Sequence, residues 1–155
     1  MSTKPAIPSS RSLLWAGLCD FAVAAALAAA FALGSSAYSF FGVEFLAEMA
    51  KQGSAVPRLL SGGLAIAGLV AGIYAIDTAR HGPRFPAARA VLTSTAGAFL
   101  LRGAWLAIEL GRAIPDYQSV RLRELLLSAA AVLIGVLHLV GVRDLLASSG
   151  ARSGS

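Results

Sequence analysis

Four long apolar stretches, residues 13–34, 59–77, 88–110 and 125–142, occupy most of this chain. Each is close to the ~20 residues that a helix needs to cross the hydrocarbon core of a bilayer. Backbone groups inside a bilayer must be satisfied within the segment, which leaves the helix as the solution for isolated apolar runs. The reading is therefore an all-α membrane protein, an antiparallel bundle of four transmembrane helices with short connections. Composition agrees: 57% of residues are hydrophobic and 14% are charged, against roughly 25% charged in a soluble domain. A soluble chain of this size could not cover so much apolar surface.

The expected organisation is a disordered N-terminal tail at 1–12, rich in Ser and Pro, a transmembrane domain at 13–146 and a disordered C-terminal tail at 147–155, rich in Ser and Gly. The first stretch has features of a secretory signal, with Lys4 and Arg11 before it and Ser35-Ser36-Ala37 after it. It is too long for an ordinary signal core, and Asp20 interrupts it, so a retained helix is expected. Cys19 is the one cysteine, which excludes an internal disulfide.

The formal charge of +5 does not point to nucleic acid, because Lys and Arg are scattered rather than clustered. Their distribution bears on orientation instead. Lys4, Arg11, Arg80, Arg84, Arg89, Arg143 and Arg152 flank the side that holds both termini, whereas Lys51, Arg58, Arg112, Arg121 and Arg123 flank the other. Seven against five places both termini in the cytoplasm of a multi-pass cell-membrane (inner-membrane) protein.

The first loop carries its own pattern. Within 40–52, Phe41, Phe45, Leu46 and Met49 share one side of a helical wheel, and Glu44, Glu48, Lys51 and Gln52 share another. The spacing predicts a short amphipathic helix, either anchoring the interface or serving as a lid over a cavity. Tyr38, Phe40 and Phe41 before it suit the headgroup level. Small residues repeat at helical spacing on three spans: Gly17, Asp20, Ala24 and Ala28; Ser61, Ala65, Gly68, Gly72 and Ala75; Ser128, Ala131, Gly135 and His138. Such faces let helices approach within lipid, and one of them could serve a membrane-protein partner or a second copy of the chain.

Three ionisable residues lie inside spans: Asp20, Arg102 and His138. An intramembrane Arg costs ~2.5–3.5 kcal/mol on insertion scales, so each of these should face protein or water and find a partner. Thr95, Ala98, Arg102 and Glu109 fall near one line of the third span and read as an inward polar stripe. Arg102 is expected to pair with Glu109 or with the first-loop acids Glu44 and Glu48. Gly103 would let another backbone come close. Asp20 and His138 share the inner half of their spans and could meet, either to specify helix packing or as a proton relay or a fragment of a metal site. A complete metal site needs three or four ligands, and His81 by Asp77 reads as interfacial, so no metal, haem or other cofactor is expected.

Phosphate-binding Gly-rich loops and H-E-x-x-H, C-x-x-C and G-x-S-x-G motifs are absent from the sequence. No residue is assigned a catalytic role; Asp20, Arg102, Glu109 and His138 stand as binding candidates. Three function classes follow. The first is a non-catalytic component of a membrane complex or a lipid-binding protein, the second a small oligomeric transporter or channel, and the third a membrane enzyme acting on a lipid-soluble substrate. Arg102 lining a cavity would favour the last two, and a dry interior with Arg102 paired would favour the first.

Overall fold

The computed structural model describes residues 10–113 and 122–150, with backbone alone at 106, 109–113 and 148–150. All regular structure among these residues is helical: α1 Arg11–Leu33, α2 Ser35–Phe40, α3 Glu44–Lys51, α4 Val56–His81, α5 Ala88–Ala113 and α6 Leu122–Gly150. Local signals set several ends. The Ser10 hydroxyl accepts from the Leu13 amide at the start of α1, and Pro57 opens α4 where its missing N–H is harmless.

Three helices, Arg11–Leu33, Val56–His81 and Leu122–Ala147, are long and apolar enough to cross a membrane. Their outward side chains agree: Leu59 is 71% exposed, Ile66 65% and Leu133 59%. So many bare apolar side chains around long helices are stable in hydrocarbon and not in water. The chain is a membrane-embedded helical protein.

Helix contacts run through small residues. The most extensive are α1 with α4 and α5 with α6, joined by α1 against α6. At the first interface, a Cβ on Gly17 would stand 3.0 Å from the Gly72 carbonyl oxygen, and one on Gly72 3.1 Å from the Gly17 carbonyl oxygen. The two backbones touch because neither residue has a side chain, the arrangement that drives association where lipid offers no hydrophobic contrast. Buried Leu13, Ala75, Ala79, Leu92, Val142 and Leu145 fill one end, and Ala30, Ala37, Tyr38 and Ala47 fill the other.

The first loop differs from the single helix expected over 40–52. Gly42, at φ +75°, ends α2, with its amide donating to the Ser39 carbonyl (3.1 Å) and the Val43 amide to the Tyr38 carbonyl (2.9 Å). This paired closure is the Schellman motif, which needs a left-handed residue that Gly supplies cheaply. Gly53 ends α3 the same way, its amide donating to the Ala50 carbonyl and the Ser54 amide to the Met49 carbonyl. The buried side of α3 is Ala47, flanked by Leu46 and Ala50, while Phe45 points away at 74% exposure. Tyr38 is buried against its neighbouring helices. At the other terminus α6 continues to Gly150, past the expected start of the tail at 147; residues 1–9 and 151–155 of the expected tails lie outside the described residues, as does most of the third loop.

Candidate functional site

Asp20 on α1 and His138 on α6 meet. Both side chains are 0% exposed, and His138 Nε2 lies 3.1 Å from Asp20 Oδ2. The other ring nitrogen, Nδ1, is 3.0 Å from the Ile134 carbonyl. A carbonyl can only accept, so Nδ1 carries hydrogen. The contact between Nε2 and Oδ2 then contains one proton, either as an acid donating to a neutral ring or as an imidazolium donating to a carboxylate. The pair is net neutral in both descriptions. Asp20 Oδ1 is buried with no partner among the described residues. The Phe99 ring of α5 stacks near the imidazole, with centroids 6.2 Å apart and planes inclined by 21°.

Arg102 is placed differently from the expectation. The line Thr95, Ala98 and Arg102 does not face inward: Ala98 and Arg102 are exposed, and the Thr95 hydroxyl donates back to the Val91 carbonyl of its own helix (2.9 Å). The buried side of α5 is Leu92, Ala96 and Gly103. Successive residues on a helix are separated by about 100°, and Gly103, the smallest of its neighbours, takes the position against α6. Arg102 is thereby turned to the flank. Its length brings Nη1 back to Ser128 Oγ on α6 at 2.9 Å. That neutral hydroxyl, not an acid, is its partner among the described residues. Glu48 instead bonds Lys51 and Gln52 within its own helix, and Glu44 accepts from Ser39. The Glu109 side chain lies outside the described residues.

Beside Arg102 is an apolar groove of about 440 Å³, within the ~300–1,000 Å³ common for small-molecule sites. Its walls come from α1 (Val23, Leu27), α4 (Leu60, Leu64) and α6 (Leu127, Ile134), with Phe99 of α5 toward the buried pair. Phe41, Val43 and Leu46 from the α2–α3 segment roof it. Arg102 is the one charged residue on its described wall. Tyr38 and Ser61 also line it, but their hydroxyls bond each other at 2.9 Å, tying the roof to α4. Asp20 and His138 are not on its surface.

A second tie holds the roof. Arg123 of α6 donates to the Ser39 and Phe40 carbonyls at the end of α2 and lies 5.9 Å from the Phe40 ring centre. Sequence reasoning missed this contact and the Tyr38–Ser61 bond, since neither leaves a local pattern. His81 is half-exposed, with Nδ1 2.9 Å from Asp77 Oδ1. No cluster of three metal-ligating side chains exists among the described residues.

Comparison with protein-family models, curated proteins and solved structures gives no match. The functional reading therefore rests on the groove and its guanidinium.

Proposed function

We propose that this protein binds an anionic amphiphile, a lipid of the surrounding membrane, with an acyl chain in the groove and the acidic headgroup on Arg102. The observation that carries this reading is the wall of the groove: apolar throughout except for one guanidinium and a self-satisfied Tyr38–Ser61 pair. Hydrocarbon tails gain little by leaving hydrocarbon, so the groove supplies shape and Arg102 supplies preference. In this reading α5 is the fourth span, the four long helices form an antiparallel bundle, and both termini are cytoplasmic, which puts the roof and Arg102 toward the outer leaflet of the cell membrane.

A cavity at Arg102 alone favours a transporter or an enzyme over the class of complex components and lipid-binding proteins. The lining then separates those two from simple binding. Asp20 and His138 do not line the groove, so the buried pair and Arg102 do not share one cavity as a polar path would use them. The two hydroxyls on the groove wall, Tyr38 and Ser61, are bonded to each other, and no carboxylate or imidazole stands on the described wall to act on a substrate. Lipid binding uses what the wall contains.

The test is native mass spectrometry of the protein released from mild detergent with phosphatidylglycerol or phosphatidylcholine added. Phosphatidylglycerol should be retained in preference, and Arg102→Gln should bring its retention down to that of phosphatidylcholine. Equal retention of the two lipids by the unaltered protein would refute the proposal.

A further inference from the structure

We infer that the lipid held at Arg102 has two acyl chains that part around this side chain, one entering the groove and the other lying along the outer face of α5. The inference deepens the amphiphile reading and rests on it. Arg102 borders two depressions rather than one. Besides the groove, it lines a shallower, open hollow of about 540 Å³ with Ala98, Leu101 and Trp105. Those three residues fall four before, one before and three after Arg102, on one side of a helix.

The hollow is apolar apart from the same guanidinium, and Leu101 and Trp105 are 78% and 50% exposed. Arg102 thus borders a half-open groove on one side and a more open hollow on the other. A one-chain amphiphile seated in the groove would use only one of those sides. An anionic glycerophospholipid fits both: its phosphate takes the guanidinium N–H donors not spent on Ser128, and its glycerol sends one chain to each side. With the first chain seated, the second meets the α5 face as an intramolecular contact, at high effective concentration. Trp105 completes the arrangement with a ring of the kind that favours the glycerol and headgroup depth.

Trp105 also supplies the measurement. The other tryptophan, Trp15, lies on α1, so Trp15→Phe leaves Trp105 as the sole tryptophan, excited selectively beyond the tyrosine band. The purified full chain in mild detergent is titrated with phosphatidylglycerol brominated on one acyl chain, with brominated lyso-phosphatidylglycerol as the one-chain arm and brominated phosphatidylcholine as the charge arm. The two-chain anionic lipid should quench Trp105 with saturation at one lipid per chain and bind on the order of tenfold or more tighter than the lyso form. Ala98→Phe, which fills the outer hollow at an exposed position, should erase that advantage. Equal binding by the lyso lipid, saturable phosphatidylglycerol binding with Trp105 unquenched, or quenching that never saturates would each overturn the two-chain inference. If neither anionic lipid binds, or phosphatidylcholine binds equally, the amphiphile reading fails with it, so the two failures are distinguishable.

Discussion

Separating Asp20 from His138 by mutation asks how far one sealed contact supports the fold. Asp20→Leu removes the partner of Nε2 while Nδ1 remains bonded to the Ile134 carbonyl, 3.0 Å away. Since both side chains are 0% exposed, no solvent replaces the lost partner, and an orphaned buried polar group costs ~1–3 kcal/mol. His138→Leu orphans Asp20 in the same way. The double Leu variant orphans neither, and exchanging a buried pair for apolar side chains is often close to neutral. Hydrogen-bond couplings measured within membranes average ~0.6 and reach ~1.7 kcal/mol; full burial places this pair near the upper value. The cycle is read from reversible unfolding in mixed micelles with increasing sodium dodecyl sulfate. Asp20→Asn should be mild, because its amide can donate to Nε2 of a ring protonated at Nδ1. Strict additivity, within ~0.3–0.5 kcal/mol, or an Asn variant as damaging as Leu, would refute the shared-proton description. The same variants separate packing from function in the lipid-binding assay. If the pair works by exchanging its proton, Asp20→Asn and His138→Gln should fold normally, lose binding and show no further loss when combined; if it only specifies packing, both should be nearly silent there.

Gly103→Ala should destabilise by about 1–3 kcal/mol in the same unfolding assay, because its Cβ would lie 3.0 Å from the Val132 amide nitrogen and 3.2 Å from its Cα, backbone atoms that cannot turn aside. Gly97→Ala on the same helix meets nothing within 4 Å and should change stability by less than ~0.5 kcal/mol; equal effects at the two positions would refute the α5–α6 contact. Orientation is tested by thiol labelling in a Cys19→Ser background: Ala55→Cys should react from outside the cell and Phe85→Cys only after permeabilisation, and the reverse pattern would invert the proposed topology.

The helical, membrane-embedded character was legible because long uncharged apolar runs have few alternative folds. The meeting of Asp20 and His138 was also within reach, since both share faces with small residues and an ionisable side chain in a span must seek protein. The angular setting of α5 was not. In a soluble helix the polar side marks solvent, but a helix surrounded by hydrocarbon is apolar outward as well, so Leu101, Arg102 and Gly103 compete for the interior without that guide. Gly103 wins through close backbone approach, and Arg102 follows by geometry. The break at Gly42 had a local signal, a glycine within a short predicted helix, which the amphipathic pattern over 40–52 outweighed. The grip of Arg123 on α2 links residues 83 and 84 positions apart, and nothing in either segment announces the other.

That grip has a consequence for biogenesis. A chain emerging during synthesis presents α1, then α2 and α3, then α4, so the Gly17–Gly72 contact and the Tyr38–Ser61 bond can form once α4 has entered the membrane. Arg123 and the α6 wall follow only after α5 is made. Until then the segment that will roof the groove is fastened along one edge alone, and its apolar underside meets lipid. If the groove takes a lipid as proposed, one already resting there when α6 arrives would be enclosed as the second tie closes, and insertion of the last helix would be the moment at which the site fills.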